Sequence, residues 1–210
     1  MSTVRVKICG ITNENDALKA ISFGADAIGF IFHQPSPRYV EPETVAGIIK
    51  SLPPFVAKVG LFVNMPAADV RRIIDISGVN LLQFHGGENE LFCSSFGMPW
   101  IKTIKMIKTT KVLEEVGRFS ESSAVLLDTG DPIVAGGTGR SFDWTLIPRT
   151  MEKPFIVAGG LTPVNVEKVV EFAKPFAVDV CSGVERDKGK KHIGKMKEFI
   201  SKAKKRDFDV

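Results

Sequence analysis

The chain alternates between two kinds of segment, and this alternation constrains its fold more than any other feature. A short apolar or alternating stretch, typical of a buried strand, is followed by a turn and then by a stretch with the period of an amphipathic helix. Eight such units follow one another along 210 residues, with a spacing of about 25 residues. The predicted strands are residues 4–8, 26–32, 56–63, 80–84, 100–104, 124–127, 155–158 and 176–180.

Eight strand-then-helix units favour a closed (β/α)8 barrel, the TIM barrel, as a single α/β domain over residues 1–210. A doubly wound open sheet is the alternative. In its dinucleotide-binding form, the first strand is followed by a G-x-G-x-x-G turn. Here the first strand is followed by CGIT at residues 9–12, and no P-loop sequence occurs. We therefore predict the barrel.

Local signals predict where several helices begin. Thr12 or Asn13 is a suitable N-cap for the first helix. Thr162 is a suitable N-cap for the seventh, with Pro163 at its first helical position. Between the sixth and seventh strands, a glycine-rich loop leads to a short predicted helix near residues 143–147.

Composition excludes several classes of protein. With 44% hydrophobic and 25% charged residues, the chain has the balance of an ordinary soluble domain. Its cysteines, Cys9, Cys93 and Cys181, are too few and too scattered for a disulfide framework or a Cys-x-x-Cys metal site. We find no basic-then-apolar leader and no apolar run near the roughly 20 residues of a membrane span. We expect a cytoplasmic protein with no membrane partner.

The net charge of +4 is dispersed, except for basic runs at residues 188–191 and 202–206. Lysines near a helix C-terminus are favoured by the helix dipole. The aromatic residues with which single-strand binders stack bases are missing there. We therefore assign both runs to the solvated ends of the last helix and expect no nucleic-acid partner.

Glycines after the last three strands indicate a phosphate site. Barrels of this kind bind phosphate with backbone N–H groups from the loops after strands seven and eight, where a helix N-terminus faces the anion. Both loops have the required composition, and the loop after strand six adds GGTG at residues 136–139. The candidate residues are Gly137, Gly139, Gly159, Gly160, Ser182 and Gly183.

Two reactive side chains end strands on opposite sides of the predicted barrel mouth. Cys9 follows the first strand and Asp128 the sixth. A thiolate can remove a proton from carbon if its pKa is lowered, and a carboxylic acid can protonate a leaving oxygen. The alternatives are a small buried hydrophobe for Cys9 and a helix-capping or loop-fixing carboxylate for Asp128.

Three further polar residues follow or end strands at the same edge. Arg38 lies in the second loop, where it suits either a carboxylate contact or the surface. His85 ends the fourth strand, as a core histidine or a functional one, and Asp179 lies near the end of the eighth. We expect these three side chains to contact the substrate.

These motifs, taken in order, resemble the phosphoribosylanthranilate isomerases of tryptophan biosynthesis. The matching segments are residues 6–12, 24–30, 36–40, 60–64, 83–86, 126–128, 136–139, 142–144, 158–161 and 179–185. The resemblance covers nearly the whole chain. This chain departs from the pattern at Phe84, Thr138, Arg140 and Cys181, where leucine, serine, lysine and serine are common.

The resemblance implies a barrel without metal or cofactor, in which Cys9 is the general base, Asp128 the general acid and Arg38 the contact for the anthranilate carboxylate. The implied reaction is an Amadori rearrangement of a phosphosugar substrate. The oligomeric state is left open between monomer and homodimer.

Two alternatives come from other classes. An aminoaldose isomerase of histidine biosynthesis resembles this fold and chemistry, but it uses an aspartate base where this chain has Cys9. A binding barrel without turnover would not need both Cys9 and Asp128.

Overall fold

The structure, a computed structural model, describes residues 4–129 and 141–205. Eight parallel strands close into a barrel in chain order, with β1 paired to both β2 and β8. The predicted (β/α)8 barrel is confirmed. The strands are β1 (Arg5–Ile8), β2 (Ala27–Ile31), β3 (Ala57–Phe62), β4 (Leu81–Phe84), β5 (Trp100–Met106), β6 (Ala124–Thr129), β7 (Phe155–Val157) and β8 (Ala177–Val180).

Helices connect most of the strands. They are α1 (Glu14–Ser22), α2 (Pro42–Lys50), α3 (Ala67–Ser77), α4 (Glu90–Ser94), α5 (Val112–Gly117), α6 (Val166–Ala173) and α7 (Ile193–Lys204). In the described part of the connection from β6 to β7, the helical element is a single 3-10 turn, Trp144–Leu146. No described helix is both long enough and apolar enough to cross a membrane.

One predicted helix start is correct and another is wrong. Asn13 caps α1, because its side chain accepts a hydrogen bond of 2.9 Å from the backbone N–H of Asp16. Thr162 does not cap α6, which begins at Val166. Instead Asn165 holds the preceding turn, accepting from the Thr162 N–H at 2.8 Å and donating to the Gly160 carbonyl at 3.0 Å.

The strands bury side chains on both faces. Outward residues such as Ile8 and Phe62 pack beneath the helices in the largest apolar cluster. Residues facing the barrel axis form smaller clusters, such as Leu126 with Ile156 on β6 and β7. Because both faces of the strands are largely covered, polar residues on the inner face, such as Lys7, Asp128 and Asp179, are also buried, and these residues line or adjoin the site.

The basic runs are not simply the solvated ends of the last helix. After β8, a 3-10 turn (Ser182–Val184) leads to a hairpin of β9 (Glu185–Asp187) and β10 (Lys190–Lys191), which precedes α7. Lys191 is buried, and its Nζ lies 3.2 Å from a Glu185 carboxylate oxygen. Lys204 is also buried, in a 2.7 Å ion pair with Asp26. That part of the charge prediction was wrong because tertiary contacts supply partners for these lysines.

Candidate active site

One pocket at the carboxyl ends of the strands collects the predicted site residues that the structure describes. Parallel strands end together at this edge, so residues distant in sequence meet there. The lining includes Cys9, Arg38, His85, Asp128, Gly159, Gly160, Asp179, Ser182 and Gly183. Gly137 and Gly139 lie outside the described residues.

Cys9 is 3% exposed and faces the pocket beside a second thiol. The hydrogen bond from Cys181 lowers the pKa of the Cys9 thiol well below its usual value, and the charges of Lys7 and Lys191 add to this effect although burial opposes it. A side chain on Gly29 would touch both the Cys9 sulfur and the Lys7 ammonium, at 2.9 and 3.1 Å. The absence of a side chain at Gly29 therefore leaves room for the Lys7 ammonium beside the Cys9 thiol.

Lys7 and Asp179 lie within the barrel on adjacent strands. Lys7 Nζ donates to Asp179 Oδ1 at 2.9 Å, and both residues are under 10% exposed. Burial raises the pKa of Asp179 to about 7, with Lys7 opposing and the negative charges of Cys9 and Asp128 adding to the shift. Burial alone would lower the pKa of Lys7, but the charges of Asp179 and Cys9 outweigh it and raise that pKa.

The sequence pattern around Lys7, in which it alternates with valine and isoleucine, indicates a strand and by itself assigns Lys7 no role in the site. The usable signal was its spacing from Cys9. Residues two apart on a strand share a face, so Lys7 had to face the same side as Cys9. By the same rule, Asp179 on β8 and Cys181, the residue that directly follows β8, face the same side.

Asp128 is held by its own loop and by His85. Its Oδ1 accepts a hydrogen bond of 2.8 Å from the Thr129 N–H, and its Oδ2 lies 3.3 Å from His85 Nε2. The other ring nitrogen of His85, Nδ1, lies 3.1 Å from the Thr103 hydroxyl. Asp128 and His85 are thus linked at one side of the pocket, so the structure places His85 beside the proposed acid.

Gly159 and Gly183 permit two close approaches at the pocket wall. Gly159 has φ +77°, and a Cβ there would lie 2.7 Å from Asp128 Oδ1 and 2.6 Å from the Thr129 nitrogen. A Cβ on Gly183 would collide with the backbone carbonyl of Leu161, because the loops after β7 and β8 touch at this point. Both positions therefore require glycine before any ligand is considered.

Arg38 is not a surface residue. It is 9% exposed, and its Nε and Nη2 donate to the Glu185 carboxylate at distances between 2.7 and 3.2 Å. Lys191 contacts the same carboxylate. Glu185 therefore fixes the guanidinium plane, leaving Nη1 without a hydrogen-bond partner among the described residues. Sequence reasoning missed this role of Glu185, since 147 residues separate the pair and no local pattern connects them.

Comparison with known proteins identifies the family. The family model for N-(5'phosphoribosyl)anthranilate (PRA) isomerase matches residues 6–202. The N-(5'-phosphoribosyl)anthranilate isomerase of Hahella chejuensis is 46% identical over 207 residues, which are 99% of this chain and 97% of that protein. The chain belongs to the N-(5'-phosphoribosyl)anthranilate isomerase family. This confirms the predicted enzyme class, an isomerase of tryptophan biosynthesis.

Solved structures of the PRA isomerase family have the same fold. The enzyme from Thermotoga maritima is 40% identical, with a TM-score of 0.89 over 96% of this chain and 99% of that one. A second phosphoribosyl anthranilate isomerase structure contains reduced 1-(o-carboxyphenylamino)-1-deoxyribulose 5-phosphate. It is 39% identical, with a TM-score of 0.86 over 96% of this chain and 99% of that one.

Proposed function

We propose that this PRA isomerase converts N-(5-phosphoribosyl)anthranilate into 1-(2-carboxyphenylamino)-1-deoxyribulose 5-phosphate, with Cys9 as general base and Asp128 as general acid. The observation that carries the proposal is the environment of Cys9. Its thiol faces the same pocket as Asp128 and is surrounded by groups that stabilise the thiolate. A thiolate poised this way can remove a proton from carbon at neutral pH.

The reaction begins with ring opening. Asp128 donates a proton to the ribose ring oxygen while the bond from that oxygen to C1′ breaks. The lone pair of the anthranilate nitrogen forms a double bond to C1′, giving a protonated Schiff base. Its positive charge makes the proton on C2′ acidic, so the imine itself serves as the electron sink.

Proton removal completes the isomerisation. Cys9 takes the C2′ proton, and the electrons of that bond form a double bond between C1′ and C2′ while the imine nitrogen recovers its lone pair. The resulting enolamine gains a proton at C1′ and loses one from the C2′ hydroxyl, which gives the ketone. His85 lies beside the acid, and we propose that its 3.3 Å contact with Asp128 orients that carboxyl.

The substrate phosphate is proposed to lie at the glycine loops after β6, β7 and β8. Gly159, Gly160, Ser182 and Gly183 line the pocket, and glycine lets an anion approach the backbone N–H groups closely. From the sequence, Gly137 and Gly139 belong to the same proposal. The related solved enzyme holds a phosphate-bearing ligand, which supports a phosphosugar substrate for this chain.

Arg38 is proposed to contact the anthranilate carboxylate. A guanidinium prefers planar carboxylate partners, and Arg38 reaches the pocket with its plane fixed by Glu185. Asp179 also lines the pocket, and we propose that it contacts the substrate while paired with Lys7.

A monomer or a homodimer is proposed for the assembly. A solved Thermotoga maritima relative is described as mutually generated monomers of a dimeric enzyme. Light scattering on the purified chain decides between the two states.

The test of the function is direct turnover. Purified protein is mixed with freshly made phosphoribosylanthranilate, and loss of its fluorescence is followed while the ketose product is identified by mass. The phosphosugar aminoaldose of histidine biosynthesis is offered in parallel as a competing substrate. Turnover of the second compound alone would contradict the proposal.

A further inference from the structure

We propose that Cys9 and Cys181 form an oxidisable pair that closes into a disulfide when a peroxide enters the pocket, so that the enzyme is reversibly inactivated. Formation of the disulfide stands on the geometry of the two thiols. Only the loss of activity rests on the proposed function of Cys9.

The backbone places the two cysteines side by side. Ile8 on β1 and Val180 on β8 are register partners, and Cys9 and Cys181 follow them directly. The Cys9 N–H donates to the Val180 carbonyl at 2.9 Å, so the hydrogen bonds between the two strands continue as far as Cys9. Neighbouring strands lie roughly 4.8 Å apart, which falls within the Cα separations that disulfides span.

The two side chains point to the same space. Cys181 packs against the small apolar cluster of Cys9, Ile31 and Leu61 at the top of the barrel interior. Both cysteines line the pocket that opens at the barrel mouth. A molecule as small as hydrogen peroxide can therefore reach them without unfolding of the chain.

The surroundings give the two thiols different roles. Cys9 has the Lys7 ammonium beside it, whereas Cys181 lies 3.9 Å from both Lys191 Nζ and a Glu185 oxygen. Donation to the Cys9 thiolate raises the pKa of Cys181, and burial adds to this. Cys9 is thus the nucleophile that meets the oxidant, and Cys181 supplies the second thiol with its proton.

The chemistry balances with a peroxide as the oxidant. The Cys9 thiolate attacks one oxygen of hydrogen peroxide, the O–O bond breaks, and with one proton taken up the products are a sulfenic acid and water. The sulfur of Cys181 then attacks the Cys9 sulfur, the S–O bond breaks, and the thiol proton leaves with the hydroxyl as a second water. Two thiols have lost two electrons, and the peroxide has been reduced to two waters.

The third cysteine provides a matched control within the same chain. Cys93 is fully buried on α4 in the main apolar cluster. Burial raises the pKa of its thiol to about 12. It therefore presents neither a thiolate nor a neighbouring thiol to a peroxide.

The experiment treats the reduced parent, Cys181→Ser and Cys93→Ser proteins with hydrogen peroxide and digests them without reductant. In the parent and in Cys93→Ser, we expect the tryptic peptides 8–19 and 169–186 to be joined, with a mass loss of two hydrogens. Activity in these two proteins should fall by about a hundredfold, as for loss of a general base, and return with dithiothreitol. In Cys181→Ser, no joined peptide forms, and excess peroxide should carry Cys9 to sulfinic acid that dithiothreitol does not restore.

Two results would overturn the proposal: no joined peptide in the folded parent, or equal recovery of the parent and Cys181→Ser with dithiothreitol. Each variant is compared with its own untreated activity, and Cys181→Ala serves if the serine variant does not fold. If the disulfide forms completely and the activity is unchanged, the thiol pair is upheld and Cys9 is not the general base. Failure of the disulfide proposal and failure of the proposed role of Cys9 therefore give different results.

Discussion

Lys7 and Asp179 are register partners on β1 and β8, and their side chains form a 2.9 Å ion pair inside the barrel, two register positions below Cys9 and Cys181. The pair places the Lys7 ammonium next to the proposed base, Cys9. The Asp179 carboxylate compensates the charge of that ammonium. Removing one partner of such a pair leaves an uncompensated buried charge. The ion pair therefore connects the stability of the barrel to the ionisation of Cys9.

The first prediction concerns the two proposed catalytic groups. Cys9→Ser and Asp128→Asn should each lower kcat by about a hundredfold or more, because each removes a positioned proton acceptor or donor. The fluorescence assay measures kcat, circular dichroism reports the fold, and Cys93→Ser is the control. Near-normal turnover in either folded variant would remove that residue from the mechanism.

A second prediction tests the cation beside the thiol by pH. Because the positive charge of Lys7 helps to lower the pKa of Cys9, Lys7→Gln should raise that pKa. The rate of Cys9 alkylation by iodoacetamide would then reach half its maximum at a higher pH than in the parent. Lys50→Gln, which removes an exposed lysine on α2, is the control for charge alone. An unchanged midpoint would show that Lys7 does not act on the thiol.

The third prediction concerns Arg38. Arg38→Ala should cost about 1.5–3 kcal/mol in kcat/KM, mostly as a higher KM, if the guanidinium binds the anthranilate carboxylate equally in ground and transition states. A substrate analogue without the carboxylate is the control, since Arg38→Ala and the parent should have the same kcat/KM with this analogue. Unchanged kcat/KM with the normal substrate would contradict this role.

Glu185 allows a test of stability against pH. The Arg38 hydrogen bonds, with Lys191, lower the pKa of Glu185 below its usual 4.5 even though burial opposes the shift. A depressed carboxyl pKa contributes stability above the unfolded-state value, and this contribution is lost as pH falls through the folded-state value. Glu185→Gln should therefore be less stable than the parent in urea at pH 7, and the difference should shrink below about pH 4.5. A difference that is the same at both pH values would mean that the ion pair does not stabilise the fold.

The last prediction separates backbone from side chain at the proposed phosphate loops. Gly159→Ala should weaken product binding and lower kcat, because the added Cβ pushes on Asp128 and Thr129. Ser182→Ala should cost product affinity only about 0.5–1.5 kcal/mol, the value of one hydroxyl hydrogen bond. Calorimetry measures both affinities. Gly47→Ala is the matched control, since a Cβ there has no neighbouring atom within 4 Å. If folded Gly159→Ala binds the product as tightly as Gly47→Ala does, the phosphate lies elsewhere.

The sequence by itself determined the barrel and the strand-end positions of Cys9 and Asp128. Strand and helix periods are local properties, and parallel strands must end at one edge, so eight units in order indicated both the architecture and the edge of the site. The cap at Asn13 was similarly local. The Thr162 cap was an equally local prediction, and it was wrong because the Asn165 side chain holds that turn and α6 begins only at Val166.

Only the tertiary structure decided the partners of the charged residues. Arg38 meets Glu185 across 147 residues because the hairpin after β8 folds back over the second loop. Lys7 is buried because closure of β1 against β8 pairs it with Asp179, and Lys191 is buried because the hairpin folds back onto Glu185 and Cys181. Such contacts depend on which strands become neighbours in space, and pairing at that distance leaves no trace in local periodicity.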